Sequence, residues 1–263
     1  MTQQRWLQRV GPPPAHIAPP LAQLVCLPHA GGSPTFFRDW HQYLDPRIDL
    51  LAVCYPGRQG RFADPVITDM TEMAQALAGE LAALDDRPLW LFGHSMGAAI
   101  GYESARILID RYRVRPAGLL VSGFPPPHRM EPRALHREGD DAIVTDVLEL
   151  GAASSALLAE PEFRELLLPA FRADYQLIET YRPTVTDPLD IPLTAYYGRA
   201  DDDAATHVGE WDRYSTRTTP PMSYPGGHFY LQDMAPRLIA DLSRRVLATL
   251  TTADRPTGSG VPG

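Results

Sequence analysis

Residues 93–97 read Gly-His-Ser-Met-Gly, a serine between two glycines directly after the apolar run "PLWLFG". This spacing fits G-x-S-x-G, in which a sharp strand-to-helix turn lifts a serine Oγ out of a sheet. Gly93 and Gly97 permit close approach of strand and helix where a Cβ would clash. The helix N-terminus behind Ser95 supplies backbone N–H groups and a positive dipole end, which suit a developing oxyanion. A serine hydroxyl is a poor nucleophile without a base. "YPGGHFYL" puts His228 in a loop after two glycines and just before the last helix, and makes it the candidate base. His128, His136 and His207 are rivals, but they lie in helix-like or polar segments and none follows a strand end.

The base needs an acid to orient its Nδ1–H, placed shortly after a strand and partly buried. "YYGRADDDAATHVGEW" offers Asp201, Asp202 and Asp203 after the strand that ends at Tyr197. Asp201 comes first and is the choice; Asp202 is the runner-up. An oxyanion hole needs a second backbone N–H from the loop after an early strand. "CLPHAGGSPTFF" (26–37) ends such a strand in a glycine-rich turn, so the N–H groups of Ala30 and Met96 are the candidate donors. No G-K-[ST] and no G-x-G-x-x-G accompanies this turn, which argues against a phosphate-binding loop. Cys26 and Cys54 both sit in apolar runs and read as reduced core residues, not as a disulfide or metal site. The chemistry of a serine, a histidine and an aspartate requires no metal and no cofactor.

These side chains can meet only if the elements carrying them form one sheet. Apolar β-type runs occur at 21–28, 48–56, 88–93 and 117–124, with later strands at 191–198 and near 222–224. They are nearly continuous and not alternating, which suits strands buried on both faces of a parallel sheet. Helical stretches lie between them at 68–84, with Thr68 or Asp69 as N-cap, and at 95–113; a last amphipathic helix covers about 232–250. Strands alternating with helices give a doubly wound α/β domain. In such a domain the chain order Ser, Asp, His is a recognised triad order. Between the strands ending near Phe124 and starting near Ile191 lie about 65 residues, whereas a plain crossover needs about a dozen. The insertion, residues 125–181, contains helical pieces at 140–150 and 161–181 and is placed to roof the site as a lid.

The chain of 263 residues carries a net charge of -8 and 44% apolar residues. That is one domain's worth of core, and the acidic balance argues against general nucleic-acid binding. No segment reaches the ~18 apolar residues of a membrane span, and the start has no apolar signal region, so a cytoplasmic enzyme is the expectation. Residues 1–20 read as a flexible Pro-rich leader, 21–250 as the domain and 251–263 as a poorly ordered tail.

Taken together, "CLPHAGGSPTFFRDW", "YPGRQGRF", "LFGHSMGA", "GRADD" and "PGGHFYL" resemble the type II thioesterases of polyketide and nonribosomal peptide biosynthesis, over about residues 21 to 250. The resemblance implies an α/β-hydrolase fold, a mostly parallel sheet flanked by helices with a helical lid. It implies hydrolysis of stalled or aberrant acyl groups from the phosphopantetheine arm of acyl or peptidyl carrier proteins. It assigns Ser95, Asp201 and His228 to the triad, and Ala30 and Met96 to the oxyanion hole. A general carboxylesterase and a chain-releasing thioesterase are the rival enzymes, and a silent carrier-protein binder is the rival of another class. Arg58, Arg61, Arg129, Arg133 and Arg137 are the basic residues available for docking a carrier, although Arg58 and Arg61 suit an internal structural role at least as well.

Overall fold

The computed structural model describes residues 6–11, 19–151, 158, 160–183 and 187–253. The apolar runs become strands of one sheet: β1 (Leu7–Arg9), β2 (Ala22–Leu27), β3 (Ile48–Val53), β4 (Leu89–His94), β5 (Gly118–Ser122), β6 (Leu189–Gly198), β7 (Ser215–Thr218) and β8 (Met222–Tyr224). Their order is β1-β3-β2-β4-β5-β6-β7, with β8 also on β6. Every pairing is parallel except β1 with β3. In register, Val25 faces Leu91 and Leu91 faces Leu119, so the three central strands present matched apolar rows.

Both faces of the sheet are covered, which is why its strands are apolar without alternation. Val25, Leu27, Leu89 and Leu91 point to one face, where α1 (Met70–Ala82) and α2 (Met96–Ile107) pack. Leu24, Cys26, Trp90 and Phe92 point to the other. There the 3₁₀ segment Pro34–Gln42 contributes Phe37 and Trp40, and the last helix contributes Leu238, Ile239, Leu242 and Val246. Helix α1 starts at Asp69, whose side chain accepts the Glu72 N–H at 2.8 Å, which selects Asp69 over Thr68 as the cap. Cys26 and Cys54 are free and buried in the core, as expected. No helix among the described residues is long and apolar enough to cross a membrane.

The insertion forms α3 (Leu135–Glu138), α4 (Asp140–Leu150) and α5 (Pro161–Thr180). Ile143 and Val147 of α4 meet Leu168, Phe171 and Tyr175 of α5 in a small core of their own, and Ala30 and Phe229 pack against its underside. The insertion therefore rests on the loops at the C-terminal ends of β2 and β8. In α/β sheets that is the edge where ligands bind. After β6 come α6 (Asp202–His207), α7 (Tyr230–Asp233) and α8 (Ala235–Ala253).

Two strands depart from the sequence reading. β1 lies inside the leader expected to be flexible. Leu7 is buried, the Cys54 N–H donates to the Trp6 carbonyl at 2.8 Å, and Arg9 pairs with Asp49 of β3. Three residues are too few to show a period, and this strand exists because β3 offers it an edge. β7, "STRT", buries only Ser215 and so lacks an apolar signature. The Pro-rich stretch 12–18 and the tail from 254 lie outside the described residues; residues 251–253 continue α8.

Candidate active site

Ser95 occupies the turn between β4 and α2 with φ 55 and ψ -123. A non-glycine residue there costs about 1–3 kcal/mol and persists only where its surroundings impose it. Two glycines impose it here. A Cβ on Gly93 would lie 2.1 Å from the Gly97 carbonyl oxygen, and one on Gly97 would lie 2.2 Å from the Leu27 carbonyl oxygen. The second contact draws α2 onto the end of β2, where the Ala30 loop begins. The Ser95 N–H donates to the Ser122 carbonyl at 2.8 Å, which ties the turn to the end of β5.

His228 and Asp201 meet as the chain order requires. His228 Nδ1 lies 2.8 Å from Asp201 Oδ2. The two loops are fastened backbone to backbone. The Arg199 N–H donates to the Tyr224 carbonyl and the Ala200 N–H to the Gly226 carbonyl, both at 2.9 Å. Asp201 is 8% exposed, whereas Asp202 and Asp203 are exposed on the first turn of α6. Asp201 Oδ1 lies 3.5 Å from the Ala204 N–H at the start of that helix. The rival histidines have other partners: His128 and His207 bond Glu210, and His136 bonds Glu179.

The His228 ring lies 5.0 Å, centre to centre, from that of His94, the residue before Ser95. A Cβ on Gly123 would touch both rings, at 2.6 Å for His94 and 3.5 Å for His228. Histidine, aspartate and strained serine thus converge at the ends of β4, β5, β6 and β8. Among the described residues, no hydrogen bond outside helices and strands uses the N–H of Ala30 or of Met96. Ala30 is half-buried in the loop after β2, and Met96 opens α2.

A model of the thioesterase domain family matches residues 22–246. The chain belongs to the thioesterase family. The thioesterase is 37% identical over 251 residues to Thioesterase PikA5 of Streptomyces venezuelae, covering 95% of this chain and 88% of that protein. Among solved structures it resembles BorB, a type II thioesterase from the borrelidin biosynthetic cluster, with TM-score 0.82 and 34% identity over 92% of this chain and 98% of that one. YbtT, a type II thioesterase from the yersiniabactin pathway, gives TM-score 0.81 and 31% identity with the same coverage. The mixed, mostly parallel sheet with its helical insertion is the α/β-hydrolase fold, and the thioesterase is a thioester hydrolase.

Several residues around the thioesterase site escaped the sequence reading. Behind Ser95, His94 Nδ1 lies 3.0 Å from Ser122 Oγ, which lies 2.8 Å from the Tyr230 hydroxyl. Burial, followed by the charge of His228, pushes the pKa of both His94 and His29 down, His29 to about 3. Both rings therefore stay neutral at working pH. Arg58 and Arg61 are buried, so neither is available to dock a partner. Arg61 bonds Asp64 and the Cys54 carbonyl and covers the Trp6 ring, while Arg58 pairs with Asp174 of α5. Asp174 had a signal that could have found it: an acid on the apolar stripe of Phe171, Tyr175 and Ile178, where only a buried cation can satisfy it. Of the other arginines, Arg129 pairs with Glu210 and Arg133 with Asp146.

Proposed function

We propose that this thioesterase removes acyl groups from the phosphopantetheine arm of acyl or peptidyl carrier proteins, clearing stalled or aberrant units during polyketide or nonribosomal peptide synthesis. The observation that carries the reading is the 2.8 Å bond between Asp201 and His228 beside a serine held at φ 55. His228 Nε2 takes the Ser95 proton as Oγ adds to the thioester carbonyl. Asp201 accepts from Nδ1–H, holding the tautomer and stabilising the imidazolium. The N–H groups of Ala30 and Met96 receive the oxyanion. Collapse expels the arm's sulfur, to which His228 gives the proton it took from Ser95; a thiol of pKa ~8.5 needs less of this help than an alkoxide would, and His228 returns to neutral. His228 then takes a proton from water, the resulting hydroxide attacks the acyl-serine ester, and the acid leaves with Ser95 restored.

Two of the relatives it resembles are type II thioesterases of biosynthetic clusters, which supports a carrier-bound substrate. The test compares kcat/KM for one acyl group on a carrier protein and on a small thiol. The reading predicts a clear advantage for the carrier. Equal values would move the general esterase reading ahead, and product that is cyclised instead of hydrolysed would indicate a chain-releasing enzyme.

A further inference from the structure

Lid helix α5 and the Ala30 loop are joined by more than apolar contact. Arg58 leaves the turn after β3 and runs inward. Its guanidinium grips Asp174 of α5 twice, Nη1 to Oδ2 and Nη2 to Oδ1, each at 2.8 Å. Nη1 also donates to the Gly32 carbonyl at 3.0 Å. The same Asp174 Oδ2 accepts the Gly31 N–H at 2.7 Å. The two residues after Ala30 are thus held at both an amide and a carbonyl by one ion pair. Phe171, one turn before Asp174, presses on the same point. Gly31 has φ 71, and a Cβ there would lie 2.0 Å from the Phe171 ring. Ala30 itself lies under the lid cluster.

Arg58 is 6% and Asp174 1% exposed. Burial opposes the charge on Arg58, but attraction to Asp174 outweighs it and raises the guanidinium pKa. A buried ion pair is commonly no more stabilising than apolar residues of similar volume, so stability alone does not account for it. What this pair adds is geometry, because it fixes a loop in the body to a helix in the lid.

We propose that Arg58 and Asp174 are positioning residues that tie the Ala30 N–H to the seating of α5, so that the oxyanion hole is complete only when the lid helix is in place. The inference rests on the reading of Ala30 as an oxyanion donor. If α5 lifts, Asp174 leaves the Gly31 amide, the guanidinium loses its partner, and the loop carrying Ala30 is released. A donor displaced by about 1 Å loses much of its effect on the transition state. With α5 seated the hole stays assembled, so lid closure and transition-state stabilisation become one event.

The test uses the full chain with Asp174→Asn and with the double variant Arg58→Met/Asp174→Leu, which removes both charges at similar volume. Melting temperature, kcat and KM on a small acyl thioester are measured for each. So is inhibition by an acyl trifluoromethyl ketone. In that adduct Ser95 Oγ bonds the ketone carbon, the carbonyl electron pair moves to oxygen as an oxyanion, and His228 keeps the proton. The expected result is a kcat lower by about 10- to 100-fold, the scale of a weakened oxyanion donor, with inhibitor affinity falling in parallel. KM should stay within about twofold, and exchange of the Gly31 amide should quicken. Wild-type kcat and inhibitor affinity in a folded variant would overturn the proposal. So would a loss confined to KM, or failure of both variants to fold. Ser95→Ala separates the two readings: if it remains active, the site assignment itself fails, and if it is dead while both variants behave as wild type, only this inference fails.

Discussion

Lowering the pH from 7 to 5 weakens this fold through two histidines. The His94 ring lies 6.0 Å from that of His29 and 5.0 Å from that of His228, and the nitrogens His29 Nδ1 and His94 Nε2 have no hydrogen-bond partner among the described residues. Burial is the main cause of their low pKa values; the charge of His228 adds to both, with Arg58 acting on His29 and His29 on His94. Unfolded, each titrates near 6.5. Below that pH the unfolded chain binds a proton at each ring while the folded chain does not, so stability falls with pH. For a ring that stays neutral when folded the slope approaches about 1.4 kcal/mol per pH unit, giving about 2 kcal/mol for His29 at pH 5, and His94 adds a loss of the same sign. Glu103 acts oppositely: burial raises its pKa, so the folded chain takes up that proton first and recovers part of the loss. Glu210, held down to about 2 by hydrogen bonds from His128 and Arg129, keeps its charge throughout. Urea unfolding at pH 7, 6 and 5 measures the effect. His94→Asn should make the pH dependence shallower, whatever its cost at pH 7. Stability that is flat from pH 7 to 5, or a slope untouched by the variant, would mean that these rings do not stay neutral in the folded chain.

Asp201→Asn should lower kcat by about 10⁴ through loss of the correct tautomer, whereas Asp202→Asn should change it little; steady-state kinetics decide, and the reverse order would make Asp202 the acid. Gly97→Ala forces a Cβ to within 2.2 Å of the Leu27 carbonyl oxygen, so α2 must move away from β2. A loss of about 1–3 kcal/mol in denaturant unfolding is expected, with a fall in kcat as the Met96 N–H shifts; an alanine variant of normal stability and activity would contradict the close-approach argument.

The core strands were legible because burial on both faces writes itself as a nearly continuous apolar run, as at residues 24–27 and 89–92. The strained turn at Ser95 was legible because a serine at positive φ needs glycines at fixed offsets, and the Asp201–His228 contact because the first acid after the strand is the one the His228 loop can reach. What stayed hidden depends on partners distant in sequence. β1 becomes a strand only by pairing with β3, and β7 is polar throughout, with only Ser215 buried. Arg58 stood out as a motif residue whose use was open, and its partner lies 116 residues away on a helix whose spacing spoke only of apolar packing.

In the proposed reaction Ser95 carries the acyl group between carrier and water. Its most direct test is rapid-quench mass spectrometry of the enzyme mixed with an acyl-loaded carrier protein. The expected result is the acyl mass on the peptide containing Ser95, followed by free acid and unloaded carrier. In Ser95→Ala both the adduct and turnover should vanish, the latter by about 10⁴- to 10⁶-fold. A Ser95→Ala enzyme that unloads the carrier at the wild-type rate would contradict it.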